Sequence, residues 1–391
     1  MLLAQTGDFI AAVTRYGLER TALERRRLKR WFDFGHVHTY FQSRLAVTTQ
    51  RHFNRLSVAG GVLTKSSRDA AKMRAEAAWF ADAPARIRPF LPNLIAADIA
   101  AGGRTGADAN ADADAGYALE YLPLTALNEL YVFGRLPVKV WRKIFAGCDA
   151  FFVAARGIEA AKALDDGFSR HTYRDKTLAR LEDFARQTGC DLDAPWRFNG
   201  RALPGLRTMA EQAAAAMCAA PPVASFVHGD FCFSNILYDF RSHRIKLIDP
   251  RGIDVAGRIT AFGDFRYDIA KLAHSVVGLY DVVLAGFYGL RIDRQEVEFT
   301  VSHRRSRPIR DAFLQTRFAG ATPAEWGCWP AMVLLFLSML PLHVDRRERQ
   351  QALMANCLRV YEAWAAAMVA AAPDVSDAAV AAPPLLGEPA P

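Results

Sequence analysis

The stretch 225–252, SFVHGDFCFSNILYDFRSHRIKLIDPRG, constrains this chain more than any other. A short apolar run, Phe226-Val227, delivers His228-Gly229-Asp230 to the end of a strand or tight turn. Four residues separate Asp230 from Asn235. Ile236-Leu237-Tyr238 then reads as a short strand, 239–243 as a polar turn, and 245–248 as the returning strand that ends at Asp249. Two β-runs joined by a polar turn predict a hairpin. Asn235 then stands at one end of the first strand and Asp249 at the end of the second. Asp230, Asn235 and Asp249 can therefore meet in one place, and Asp249, after an apolar strand, reads as a buried carboxylate.

Phosphoryl transfer uses such a set: one carboxylate to receive the proton of an attacking hydroxyl, and an amide oxygen with a second carboxylate to hold magnesium against nucleotide phosphates. The protein-kinase catalytic loop has the same four-residue gap between its Asp and its Asn, with a metal-binding Asp beyond a hairpin. The His-Gly-Asp opening resembles the aminoglycoside phosphotransferase and choline kinase family. So does Gly263-Asp264-Phe265-Arg266-Tyr267-Asp268-Ile269-Ala270, which is similar to that family's Gly-Asp-x-x-Tyr-Asp-Leu-Ala stretch. The resemblance implies an α+β, two-lobed protein-kinase-like fold with a small β-rich N-lobe and a larger, mainly helical C-lobe. It implies ATP and Mg2+ as cofactors and a small-molecule hydroxyl as acceptor. Asp230 is then the proton acceptor and positioner, and Asn235 and Asp249 hold magnesium. Asp268 braces the catalytic loop through its backbone or through His228.

Upstream, Leu56-Ser57-Val58 and Val62-Leu63-Thr64-Lys65 read as strands joined at Ala59-Gly60-Gly61, a hairpin signal, with Lys65 ending the second. Eleven residues on, Glu76 lies in a helical stretch, 69–82, with Met73, Ala77 and Phe80 on one face. A strand lysine oriented by a helix glutamate is how kinases hold the α and β phosphates. A lysine in contact with phosphates rather than core is also one whose removal spares the fold. The segment 43–54, where kinases place phosphate-covering glycines, has none; Ser43, Thr48, Thr49 and Asn54 stand there instead. The Ala/Asp/Asn-rich segment about 100–116 reads as a disordered loop. The strand 117–122 that follows is by resemblance the hinge between lobes, where the backbone from Glu120 to Leu122 faces adenine. Segments 137–220, 269–288 and 328–368 read as helical. The expected division is a helical or linker segment at 1–36, a small nucleotide-binding lobe at 37–122, a large catalytic lobe at 123–370 and a disordered Ala/Pro-rich tail at 371–391.

Composition bounds the rest. The net charge of +8 favours anionic ligands. The densest basic run, 24–30, reads as a solvated helix face, so nucleic acid is not an expected partner. Six scattered cysteines form no CxxC pair, which argues against a zinc site or disulfide framework and fits a cytoplasmic location. Cys232, between Phe231 and Phe233, reads as packing. His36 and His38 lack a third ligand and read as packing histidines. No signal peptide is expected from the N-terminus. The longest apolar run, 331–342, is too short to span a bilayer and reads as a buried helix. The segment 31–41 resembles the linker that joins a sugar nucleotidyltransferase to a kinase-like domain in bacterial fusion proteins. That resemblance implies a nucleotidyltransferase partner and a metabolite of cell-surface polysaccharide.

The acceptor is left as a sugar or an amino alcohol such as choline. Choline needs aromatic walls, for which Trp326, Trp329 and Tyr280 are candidates. Arg251, Arg266, His343 and Asp345 could serve either acceptor, or bind a phosphate already on it. A second reading is a pseudokinase, a binding or scaffolding module. The glycine-free segment and Pro250 after Asp249 favour it; the intact Lys65, Asp230, Asn235 and Asp249 speak against it.

Overall fold

The computed structural model describes residues 54–97, 115–158, 164–165, 167–303 and 305–371, all within one compact unit that spans 50–391. The readings on 1–53, on 98–114 and on the tail from 372 fall outside the described residues.

The small lobe is built on a hairpin. Strands β1 (Asn54–Ala59) and β2 (Val62–Ser67) pair antiparallel. Gly60 and Gly61, with φ of 56° and 77°, join them in the doubly positive-φ turn that matches strand twist. Strand β2 runs two residues past Lys65. Helix α1 (Ala70–Ala81) starts where the Asp69 carboxylate accepts the Lys72 N–H at 3.0 Å, and it buries Met73, Ala77 and Phe80 together with Trp79. Strands β3 (Leu94–Ala96) and β4 (Ala115–Glu120) complete a sheet of order β1-β2-β4-β3. Strand β4 therefore takes in 115–116, assigned above to the loop, and stops at Glu120 rather than at 122.

The large lobe is mainly helical. Strand β5 (Thr125–Ala126) leads into helix α2 (Leu127–Val132), followed by α3 (Val138–Arg156). A π-turn at Arg170–Asp175 runs into α4 (Lys176–Thr188). Next comes a departure from the helical reading of 137–220: β6 (Trp196–Phe198) and β7 (Arg201–Leu203) form a hairpin before α5 (Leu206–Cys218). Its turn, Asn199-Gly200, has φ of 47° and 83°, the Asn-Gly signal of a tight hairpin.

Strand β8 (Ala224–Phe226) precedes the catalytic stretch, whose strands β9 (Ile236–Asp239) and β10 (Arg244–Leu247) pair antiparallel as expected. Strand β11 (Phe262–Asp264) pairs with β8 and passes directly into α6 (Phe265–Val276) and then α7 (Tyr280–Leu284). A second unexpected hairpin follows, β12 (Tyr288–Asp293) with β13 (Glu296–Val301). It joins the first in a sheet of order β12-β13-β6-β7. Helices α8 (Ser306–Gln315), α9 (Cys328–Met339) and α10 (Arg347–Ala371) finish the lobe. Helix α9 is apolar all round and is packed against α4, α5, α6 and α10, which is where such a helix must sit. The run is thus buried from 331 to 341, a 3-10 turn replaces the α-helix from Leu340, and Leu342 is exposed. Among the described residues no helix is long and apolar enough to cross a membrane.

Candidate active site

The site assembles where the small-lobe sheet faces the β9–β10 hairpin. Lys65 on β2 lies opposite Tyr117 on β4, and its Nζ is 2.6 Å from Glu76 Oε2. The Tyr117 hydroxyl donates to the same oxygen at 2.7 Å. Both charges are buried, with side chains 4% and 2% exposed. Lys65 Nζ also meets Asp249 Oδ1 at 3.0 Å. Burial alone would push the lysine down, but the Asp249 and Glu76 carboxylates outweigh it and hold the ammonium above its ordinary range. Tyr117 escaped the sequence reading, because only the pairing of β2 with β4 sets it opposite Lys65.

Asp249 is not buried. Its side chain is 51% exposed, and its backbone has φ of 57°, in the left-handed region that aspartate tolerates better than most residues. The residue has left the strand, and its carboxylate meets Lys65 while standing half in water. Asn235 lies beside it, since the Ile248 N–H donates to the Asn235 carbonyl at 3.0 Å. The Asn235 Nδ2 donates to the Asp230 carbonyl at 2.9 Å and to Asp230 Oδ2 at 3.0 Å. That use of Nδ2 leaves the amide oxygen, which accepts from Ser234 Oγ at 3.2 Å, as the group free to face a cation.

The loop that holds Asp230 is tied down by α6. Asp268 accepts the backbone N–H of His228 at 2.6 Å and of Gly229 at 2.8 Å. Burial pushes this carboxyl up to about 7, against the two donors. His228 is fully buried, and burial pushes its imidazole down to about 4, so it is neutral. Its Nδ1 accepts the Asp230 N–H at 3.3 Å, so Nε2 carries the proton and donates to the Ile248 carbonyl at 3.0 Å. One imidazole thus links the Asp230 loop to the segment leading to Asp249.

Lys271 is a contact the sequence reading missed. It forms an ion pair with Asp230 Oδ1 at 2.8 Å. Its spacing of three and four residues from Asp268 and Tyr267 on one helix could have pointed to it. Burial would raise the Asp230 carboxyl, but Lys271, together with Arg251, holds it well below the ordinary carboxylate range. Asp230 is therefore anionic and a weak base.

The lobes meet through two further contacts. The Trp79 indole N–H donates to the Val227 carbonyl at 2.8 Å. Gly252, with φ of 65°, comes so close to α1 that an added Cβ would stand 2.3 Å from the Ala75 carbonyl oxygen. The backbone after Asp249 thereby rests on the helix that carries Glu76. At the end of β4 the Glu120 and Tyr121 N–H groups are taken by Asn93 and Gly61 at 2.8 Å each. The Glu120 carboxylate is held by Asn93 Nδ2 at 2.9 Å. Leu122 follows with its carbonyl accepting the Leu124 N–H at 2.8 Å.

Other expected residues fall elsewhere. Arg266 is buried against Asp264, its Nη2 at 2.7 Å, and donates to the Met217 carbonyl, so it is structural. The Trp326 indole donates to the Phe318 carbonyl and its ring packs edge-on to Phe265. Trp329 is packed against the core. Tyr280 sits 4.6 Å from the His274 ring and 6.4 Å from His343. These three aromatics are used in packing and build no cage. Asp345 is exposed, 3.9 Å from Arg349. Cys232 is buried between Phe231 and Phe233, as expected.

The donor set suits magnesium. Among the described residues no three His, Cys, Asp or Glu side chains converge as a complete metal cage. One open carboxylate and one amide oxygen are what a magnesium ion uses when phosphates and water supply its remaining ligands.

The architecture is a two-lobed α+β fold of protein-kinase type, with a β-rich small lobe and a helical large lobe. No family model matches the chain, and no curated protein matches it. Among solved structures it is similar to a glucosamine kinase in complex with glucosamine, ADP and inorganic phosphate, at 13% identity over 84% of this chain and 86% of that one, TM-score 0.48. It is similar also to the amicoumacin kinase hAmiN, at 11% identity over 84% and 94%, TM-score 0.46. A third is the Plasmodium vivax ethanolamine kinase, at 9% over 90% and 94%, TM-score 0.36.

Proposed function

We propose that the chain is an ATP- and magnesium-dependent phosphotransferase that acts on a hydroxyl of a small metabolite. The observation that carries this is the convergence of Lys65, Glu76, Asp249, Asn235 and Asp230 through the contacts above, at the opening between the two lobes. Lys65, aimed by Glu76 and Tyr117, is a fixed cation for the α and β phosphates. Asn235 and Asp249 would hold magnesium, which neutralises charge on the transferred phosphoryl group. Backbone at Glu120 and Leu122 is assigned to adenine.

Asp230 receives the acceptor hydroxyl. Held as an anion by Lys271, it acts chiefly by orienting that hydroxyl in line with the phosphorus, and it takes the proton late, as suits a loose transition state. His228 and Asp268 are positioning residues that fix the Asp230 backbone. A role in cell-surface polysaccharide and a nucleotidyltransferase partner rest on the resemblance of 31–41, outside the described residues.

The test is paired. ATP affinity and phosphate transfer are measured for the whole chain and for Asp230→Asn, against a panel of sugars, sugar phosphates, sugar acids and amino alcohols. The variant should lose on the order of a hundredfold or more in kcat while binding nucleotide nearly as before. Transfer by Asp230→Asn at the unaltered rate would overturn the mechanism. Absence of transfer by the unaltered chain to every acceptor would favour a binding module instead.

A further inference from the structure

A second set of charges surrounds Tyr267 on α6, beyond those assigned to the nucleotide. Lys176 Nζ lies 5.0 Å from the Tyr267 ring centroid, and the Arg251 guanidinium lies 5.9 Å from it. Arg251 Nη1 donates to the Tyr267 hydroxyl at 3.4 Å. Lys271, one turn along α6, is the cation paired with Asp230. Arg180, one turn along α4 from Lys176, donates to the Ser338 carbonyl at 3.1 Å.

Part of this charge is offset, since Asp230 pairs with Lys271 and, with Asp254, acts on Arg251. Burial pushes Lys176 down to about 8; Tyr267 opposes this, while Arg251, Arg180 and Lys271 add to it. Two acidic residues do line the neighbouring cleft, but both are already engaged. Asp254 binds Arg258 Nε at 2.7 Å and the N–H groups of Ala256 and Arg258 at 2.9 Å each. Asp264 binds Arg266, the Tyr173 hydroxyl at 2.9 Å and the Val223 N–H at 3.1 Å. Burial would raise the Tyr267 phenol, yet Lys176, Arg251 and Lys271 bring it down to about 7, which reports a strongly positive local field.

The cleft is lined by Gly229 of the catalytic loop, Arg251, Tyr267 and Thr172. Thr172 lies in the π-turn that precedes Lys176, and such turns recur at functional sites. Its hydroxyl is buried, 6% exposed for the residue, and has no hydrogen-bond partner among the described residues. A buried polar group left unpaired costs free energy that a ligand can recover.

We propose that this cleft binds the acceptor through an oxyanion, a phosphate or a carboxylate, held by Arg251 beside Tyr267, reached by the Thr172 hydroxyl and drawn by the charge of Lys176 on the same tyrosine ring. The proposal rests on the phosphotransferase reading and narrows its substrate class: the hydroxyl presented to Asp230 belongs to an anionic metabolite. Amino sugars and choline would bring a like charge toward Lys176 and Arg251.

The test needs no nucleotide, so its outcome is separate from that of the transfer assay. Inorganic phosphate, glucose 6-phosphate, gluconate, glucose and glucosamine are titrated calorimetrically into the whole chain and into Lys176→Gln, Arg251→Gln and Lys176→Arg. At least one of the three anions should bind about tenfold or more tighter than glucose, with glucosamine no better than glucose. Each glutamine variant should lose about tenfold or more of that anion binding, while Lys176→Arg, which keeps the charge, retains most of it. Phosphates against gluconate distinguish the two oxyanions. The proposal fails if none of the anions outbinds glucose, or if the glutamine variants bind them as the unaltered chain does. In the latter case the anion sits elsewhere, as at Lys65.

Discussion

Replacing Lys65 by methionine tests the small-lobe half of the site through stability rather than activity. The substitution keeps a flexible chain of similar length and removes the charge. It leaves the Glu76 carboxylate, 2% exposed, with the Tyr117 hydroxyl at 2.7 Å and Lys72 at 3.7 Å. Removing one partner of a buried ion pair costs about 3–5 kcal/mol, because the other charge stays desolvated. Asp249 is half in water, so its loss of Lys65 adds little. Lys72 is itself 39% exposed, and a pair of that kind returns less than about 1 kcal/mol. The expected loss is therefore about 3 kcal/mol.

Guanidinium unfolding of the unaltered chain, Lys65→Met and Lys65→Met/Glu76→Leu measures it. The double variant has no orphaned charge and should recover more than half of the loss, short of the unaltered value by the unpaired Tyr117 hydroxyl, about 1 kcal/mol or more. A single variant within about 0.5 kcal/mol of the unaltered chain would refute the buried pair. A double variant no more stable than the single would show that the loss comes from packing and not from the stranded carboxylate.

Asp249→Asn should abolish most of the magnesium dependence of ATP binding, read by calorimetry with and without the ion, because the open carboxylate is the charged member of the donor set; unchanged dependence would remove Asp249 from that set. Gly252→Ala should destabilise the chain by about 1–3 kcal/mol and lower turnover, since its Cβ would meet the Ala75 carbonyl at 2.3 Å in a positive-φ turn beneath the Glu76 helix; a neutral alanine variant would contradict the close approach. The buried neutral His228 gives a pH signature. Its folded value of about 4 lies below the unfolded value of 6.5, so its contribution is full above 6.5 and is lost as pH falls toward 4, by about 3 kcal/mol. The stability gap between the unaltered chain and His228→Gln should therefore shrink between pH 7 and 4.5, and a gap constant with pH would count against a neutral, buried imidazole.

Much of this site was legible in one dimension. The β9–β10 hairpin, the Gly60-Gly61 turn and helix α1 with Asp69 before it follow from alternation, turn chemistry and capping, all local effects. Local rules also covered the two hairpins absent from the expected elements. Asn199-Gly200 is a turn signal in plain view, β12 alternates half-buried and exposed residues, and β13 exposed and buried ones. Helical expectation overrode the first; the second begins where the helical segment 269–288 ends.

Charge compensation is another matter, because it depends on which side chains meet across hundreds of residues. Lys65 reads in sequence as a phosphate contact whose removal spares the fold; only the packing of β2 against α1 and β4 makes it half of a buried pair. Asp249 reads as buried because its strand is apolar, and a single left-handed residue after the strand turns it out to water. Lys271, and the meeting of Lys176 with Arg251 over Tyr267, join α4, α6 and the segment after β10. No spacing rule links those segments, so the electrostatics of that cleft exist only once the chain has folded.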